Sequence, residues 1–318
     1  MNYKIAWWNL ENLFDLEDSL DRPDWLQKQL SKELKGWDEE VLEQKVSQLV
    51  KIINQIDPDI LGVCEVENKP VMDRLSQALN QSGRIYQVAH HDTQDGRGID
   101  IAFLYDGDKF EAEKQFSHFI LKRAATRDLF QVNFKTRDGG QDLILVGNHW
   151  PSRKGGQLES EPYRIVAAET LSYWMERIME EKEEQVALIC MGDFNDEPFN
   201  RSLTDYALAG NSLTKVLNSE SAPRLYNLMW KFLGEGIGTL YFQNFPNVLD
   251  QFLLSKGLLS GQGAFRCLED SVQIEIFEEM KSGGIYPAPI KFGRPSEKGF
   301  NPRGFSDHYP VSLQLERV

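Results

Sequence analysis

Apolar and polar positions along the chain follow two periods. Leu42, Val46, Leu49, Ile53 and Ile56 recur at spacings of three and four behind Asp38, Glu39 and Glu40. That predicts a capped amphipathic helix, stopped at Asp57-Pro58. Further helices are predicted over about 71–80 and 163–179, the latter with Ala167, Leu171, Trp174 and Ile178 on one face. Ile99, Ile101, Phe103 and Tyr105 alternate as in a half-buried strand, as do Phe130, Val132 and Phe134, and later Val311, Leu313 and Leu315. Short apolar runs at 4–8, 60–64, 143–146, 186–191 and 248–254 predict buried strands. No repeat, low-complexity linker or compositional break divides the chain, so one domain over 1–318 is expected. Strands outnumber helices, and hairpins mix with helical crossovers. The expectation is an α/β fold in which sheets pack as a layered sandwich, not a doubly wound sheet.

The buried strands share a feature. Five end in a polar residue able to ligate or to transfer a proton: Asn9, Glu65, His149, Asp193 with Asn195, and Asp307-His308; Asp250 sits inside a sixth. One strand-end Asp is an ordinary turn former. Six such residues are hard to explain as turns, because a hydrophobic strand fixes where its last side chain projects. Their chemistry is coherent. Asn9, Glu65 and Asp307 offer hard oxygen ligands suited to Mg²⁺ or Mn²⁺. His149 and His308 can donate to a phosphate oxygen or protonate a leaving group. Asp193 can orient or deprotonate water, Asn195 can donate to a phosphoryl oxygen, and Asp250 can hold a histidine's tautomer and charge. Together they describe metal-assisted hydrolysis of a phosphoester.

Composition narrows the partners. Of 318 residues, 49 are acidic and 35 basic, a net charge of −14. That argues against a broad basic surface coating nucleic acid, though not against a small, locally basic site. A mean hydropathy of −0.45 and the lack of a long apolar run exclude a membrane-spanning helix. Three cysteines without CxxC spacing argue against a disulfide framework or zinc knuckle. The chain as given reads as a cytoplasmic monomer, or as a secreted one if a leader has been removed.

Six segments carry a resemblance: Trp8-Asn9-Leu10-Glu11-Asn12, Cys64-Glu65-Val66-Glu67, Asn148-His149-Trp150-Pro151, Gly192-Asp193-Phe194-Asn195, Leu249-Asp250-Gln251-Phe252 and Ser306-Asp307-His308. In this order they resemble the endonuclease/exonuclease/phosphatase superfamily, particularly its bacterial nuclease-like branch. The resemblance implies a four-layer α/β/β/α sandwich with two packed mixed sheets and a site at one end of them. It implies Glu65 as principal metal ligand with Asn9 and Asp307 close by, for Mg²⁺ or Mn²⁺, with Ca²⁺ an alternative. It implies water positioned by Asp193, phosphate contacts from Asn195 and His149, and His308 backed by Asp250. Glu11 stands where some relatives place an aspartate ligand, one methylene longer. Arg127 resembles an arginine that approaches the phosphate. For the carboxylate behind His149, Asp100 is a candidate; the alternative is a strand-edge polar residue.

Other residues divide between function and packing. Arg153 and Lys154 can contact a neighbouring phosphate, and Trp150 can stack on a base or simply pack. The acidic stretch 15–24 lacks calcium-loop spacing and reads as a solvated loop. The run 180–184 reads as a solvated helix end. His90-His91 reads as a loop pair, since no Cys or further His lies at ligand spacing. The leading function is therefore a nuclease of endonuclease type. The alternative is a phosphatase or phosphodiesterase acting on a small or lipid-linked phosphate, of inositol-phosphate or sphingomyelinase type. A silent binding scaffold is disfavoured because Glu65, Asp193 and His308 are all present. Selectivity is expected in the loops 15–38, 150–163, 219–239 and 281–306.

Overall fold

The computed structural model describes residues 1–81, 83–121, 126–183, 185–219 and 224–318. Glu184 of the acidic run and 220–223 of the expected loop lie outside the described residues. The strands are β1 (Asn2–Leu13), β2 (Ile60–Val66), β3 (Tyr86–His90), β4 (Asp100–Asp106), β5 (Phe110–His118), β6 (Leu129–Thr136), β7 (Asp142–His149), β8 (Leu188–Asp193), β9 (Ala209–Gly210), β10 (Leu225–Asn227), β11 (Leu240–Phe242), β12 (Phe245–Asn247), β13 (Asp250–Leu254), β14 (Phe265–Ile274) and β15 (Val311–Arg317). The α-helices are α1 (Asp24–Leu30), α2 (Glu39–Ile56), α3 (Lys69–Asn80), α4 (Gln157–Lys182) and α5 (Leu213–Leu217).

Two large mixed sheets form the centre, in the orders β14-β15-β1-β2-β4-β3 and β5-β6-β7-β8-β13-β10-β9. The apolar faces of α2 and α3 cover the first sheet, and α4 covers the second. This is the expected layered sandwich. The inner faces approach closely where Gly62 of β2 lies against Trp7 and Met191; a Cβ there would stand 2.6 Å from the Trp7 ring. Gly192 is equally constrained, since its Cβ would meet the Asn148 carbonyl at 2.2 Å. The sheet core thus requires glycine directly before Asp193.

The α2 cap is as expected: Asp38 accepts from the Val41 N–H. α4 begins six residues earlier than its periodicity suggests, with Pro162 inside it. There Ser160 and Arg164 take the Gly156 and Gln157 carbonyls, offsetting the irregular start. Seven of the described strands, β3, β5, β9 to β12 and β14, were not anticipated, and the two longest of them have physical reasons. β5 is a charged edge strand, the composition by which sheets avoid edge-to-edge pairing. β14 shifts register between Leu268 and Gln273, which breaks the alternation that would have revealed it.

Candidate active site

The register of the second sheet aligns three of the polar residues. His149 pairs with Asp193 across parallel β7 and β8, and Asp193 pairs with Asp250 across antiparallel β8 and β13. Asn9 stands beside Cys64 on the first sheet, so it and Glu65 face this row from across the sandwich. Asp307 and His308 arrive just before β15. The backbone is bent to present these groups: Glu11, Asn12, Glu65 and Asn195 have φ of 52°, 57°, 62° and 51°. Non-glycine residues held in this left-handed region cost about 1–3 kcal/mol each and cluster at functional sites.

The side chains converge on one point. His149 Nε2 lies 3.7 Å from Glu65 Oε1 and 3.8 Å from Asp193 Oδ2. His308 Nε2 lies 3.9 Å from that same Asp193 oxygen and 4.0 Å from Asp307 Oδ1. Asn9 Nδ2 donates to Asp193 Oδ2 at 3.2 Å, and the Asn195 N–H donates to Asp193 Oδ1 at 2.9 Å. The Asn12 N–H holds Glu65 Oε2 at 3.1 Å. Behind His308, Nδ1 meets Asp250 Oδ2 at 2.6 Å, and Trp7 Nε1 donates to Asp250 Oδ1 at 3.1 Å.

The two histidines differ in charge. Burial disfavours the His308 cation, but Asp250, then Asp193 and Asp307, outweigh it and hold the pKa well above its ordinary value. His149 is pushed well below, first by burial and then by Arg127 and Arg97. At neutral pH His308 is therefore an imidazolium and His149 a neutral ring. Burial, aided by Asp250 and Glu65 against the pull of His308, lifts Asp193 to about 7.

The structure brings most of the expected residues together and moves others away. Arg127 is buried at the edge of the cluster, donating to the Trp150 carbonyl at 2.9 Å and pairing with Asp95 at 3.3 Å, while its Nε has no partner. Asn195 Nδ2 donates to the same Trp150 carbonyl at 3.0 Å. Arg153, expected to contact phosphate, has protein partners of its own in the structure. Its Nε donates to the Asn195 carbonyl, Nη1 to Asn247 and Nη2 to Asn200, so the guanidinium clamps the loop after β8. Trp150 is fully buried against Phe194 and donates to Asn148, which rules out base stacking. Asp100 does not back His149: its Oδ1 accepts from the Thr93 N–H and hydroxyl, and His149 Nδ1 is buried without a partner. Each Glu11 oxygen accepts a backbone N–H, from Phe292 at 2.8 Å and Gly293 at 3.1 Å, anchoring the 281–306 loop.

Three functional supports escaped the sequence. Trp7 braces Asp250, as described. Arg164 of α4 forms a fully buried pair with Asp196 at 2.7 Å, fixing the turn that carries Asn195. Lys45 of α2 is completely buried, donates to the Phe305 carbonyl at 2.6 Å and lies over the Phe292 ring. Burial lowers its pKa to about 8, against the opposing pull of Glu11, Asp307 and Glu65. A signal existed for Lys45 alone: it occupies the apolar stripe between Leu42 and Leu49.

Among the described residues, no lysine or arginine lies within ion-pair distance of Glu65, Asp193 or Asp307. These converging carboxylates have, among the described residues, only the two histidine rings as basic neighbours, which fits a hard divalent cation. No helix among the described residues is long and apolar enough to cross a membrane. Solved structures of similar fold include an endonuclease/exonuclease/phosphatase family protein from Bacteroides thetaiotaomicron, 17% identical with a TM-score of 0.57 over 99% of this chain and 98% of that one. Truncated Caenorhabditis elegans TDP2 is 15% identical, with a TM-score of 0.58 over 99% and 97%. A mannosyl-6-phosphatase from Bacteroides thetaiotaomicron is 17% identical, with a TM-score of 0.56 over 99% of both chains. At such identities the likeness is one of fold. No curated protein sequence matches the chain. A family model does match, the Endonuclease/Exonuclease/phosphatase family over residues 4–317, and the chain belongs to that family of metal-dependent phosphoester hydrolases.

Proposed function

We propose that the chain is a phosphodiesterase of nuclease type that works with Mg²⁺ or Mn²⁺. The observation that carries this reading is the pair of histidines, one cationic and one neutral, that flank one Asp193 oxygen at 3.8 Å and 3.9 Å. In this reading Glu65, Asp307 and Asn9 hold the cation. When bound, it neutralises phosphate charge and stabilises charge developing in the transition state. Asp193, fixed by Asn9 and Asn195, orients the attacking water and draws its proton. His308 donates as a cation to the phosphoryl group or the leaving oxygen. His149 and the Asn195 amide offer neutral donors to the remaining phosphoryl oxygens, and Arg127 adds charge at the rim. Glu11 serves as the anchor of the 281–306 loop.

A second reading has its own support. A cavity of about 550 Å³ opens beside Arg127 and is lined by Arg97, Lys154 and Tyr163 as well. With Asp95 and Glu159 also in its lining, the recess is modestly basic, which suits a small phosphorylated substrate. The test is one panel assayed with Mn²⁺: plasmid DNA, RNA, inositol phosphates, sphingomyelin and bis-p-nitrophenyl phosphate. Cleavage of nucleic acid and of the diester, both largely abolished by Glu65→Ala in a folded protein, is expected. Turnover confined to small monoesters would replace the nuclease reading with the second. Undiminished turnover in Glu65→Ala would remove Glu65 from the cation site.

A further inference from the structure

The hairpin between β3 and β4 is closed by three groups that the hydrolytic site does not use. His90 ends β3, Asp100 opens β4, and Asp92 follows the turn out of β3. The His90 side chain is only 2% exposed and its Nε2 has no hydrogen-bond partner. That nitrogen faces Asp100 Oδ2 at 3.7 Å, too far for a hydrogen bond. Asp100 is itself buried, and its other oxygen is held by Thr93, at 3.0 Å from the N–H and 2.5 Å from the hydroxyl. Asp92 Oδ1 lies 3.8 Å from His90 Nδ1, with its side chain largely in solvent. One ligand atom from each residue falls within 4.8 Å of the other two.

The 3.7 Å between His90 Nε2 and Asp100 Oδ2 is the spacing of two ligands sharing an ion; Asp92 faces the other ring nitrogen, and its exposed side chain, within 4.8 Å, would turn to complete the set. Two atoms at about 2.0–2.1 Å from one Zn²⁺ stand roughly 3.3 Å apart at a tetrahedral angle and about 4 Å apart when opposed. We propose that His90, Asp92 and Asp100 bind a divalent first-row transition ion of the Zn²⁺ type, distinct from the cation of the hydrolytic site. One imidazole and two carboxylates suit Zn²⁺, Co²⁺ or Mn²⁺ better than Ca²⁺, which prefers six or more oxygens. Solvent beside Asp92 supplies a further position.

The ion has a structural consequence. The 91–99 turn carries Asp95, which holds Arg127, and Arg97, which lines the basic cavity. Clamping both ends of the turn fixes the wall of that recess. The site reads as a structural tie and takes no part in turnover.

The experiment is titration of the full chain with Co²⁺, read by its visible absorption, and with Zn²⁺, read by competition with a chromophoric chelator. Wild type, Glu65→Gln, His90→Ala, His90→Gln and Asp100→Asn are compared, with circular dichroism to confirm folding. The proposal expects one equivalent that survives Glu65→Gln and is at least ~100-fold weaker in each folded His90 or Asp100 variant. It also expects Zn²⁺ to raise the melting temperature of wild type and Glu65→Gln, but not of His90→Gln. Equal uptake in wild type and the His90 variants would overturn it. So would uptake lost only in Glu65→Gln. Because Glu65 and His90 are tested separately, failure here leaves the hydrolytic reading standing.

Discussion

His149 and His308 approach the same Asp193 oxygen to 3.8 Å and 3.9 Å, yet they carry different charges. The difference lies behind each ring. His308 rests on Asp250, itself braced by Trp7, and the Asp250 N–H meets the Thr239 hydroxyl at 3.1 Å. His149 rests on nothing polar: its Nδ1 is buried without a partner, and two arginines stand nearby. A carboxylate behind one ring holds its proton, while apolar burial and positive charge around the other expel it. Two identical side chains at matched distances thus become a cationic donor and a neutral one. An orphaned buried nitrogen costs about 1–3 kcal/mol, a burden kept where function benefits.

The largest expected effect comes from removing the difference at its source. Asp250→Asn should lower kcat/KM by roughly 10²–10⁴-fold, the range for losing an effective acid–base group. The groups facing His308 are Asp250, Asp193 and Asp307, all raising its pKa. Without the Asp250 charge the ring loses its proton at lower pH. Activity that needs the imidazolium disappears as pH rises through its pKa, so the alkaline limb of the pH–rate profile should move downward. A wild-type rate with an unmoved limb would break the comparison.

A smaller effect sharpens it. Glutamine keeps a neutral donor but cannot carry a proton's charge. His149→Gln should therefore cost only about 10–100-fold, while His308→Gln should match the ~10²–10⁴ loss of an acid–base group. Steady-state kinetics on bis-p-nitrophenyl phosphate measures both. A greater loss at His149 than at His308 would reverse the assigned roles.

The residues legible in the sequence share a physical property. Asn9, Glu65, His149, Asp193 and His308 lie where apolar runs end or begin, and burial of such a run dictates where its polar neighbour emerges. The layers were legible for the same reason, since α2 and the apolar strands announce their buried faces. What stayed hidden depends on partners far along the chain. Arg153 looks like a phosphate ligand, and no local pattern shows that Asn195, Asn200 and Asn247 partner its guanidinium. Trp150 looks available for stacking until Phe194 meets its ring. Alternation placed Asp100 on the correct face of β4, but no periodicity could reveal that Thr93, and not His149, lies against it. Lys45 was visible as a break in an apolar stripe, though its target, the Phe305 carbonyl, is 260 residues away.

Trp7 provides the finest test, because it touches neither substrate nor cation in the proposed reaction. Its indole N–H meets Asp250 Oδ1 at 3.1 Å, and both residues are fully buried. Trp7→Phe keeps an aromatic ring in the sheet interface but leaves that oxygen without its donor. A hydrogen bond to a charged group is worth about 1.5–3 kcal/mol, and only part of that bears on how Asp250 is aimed. The expected fall in kcat is therefore about 3–10-fold, with KM little changed, because ground-state contacts are intact. Two opposing consequences separate positioning from packing. An unbraced carboxylate is more basic towards the His308 proton, so a still-aligned Asp250 would move the alkaline limb upward. A carboxylate that swings out of line weakens the 2.6 Å contact and moves the limb downward. Bracing by Trp7 predicts the downward shift, of less than the Asp250→Asn value, together with the lower kcat. A loss of thermal stability with kcat and limb unchanged would show that Trp7 only fills space.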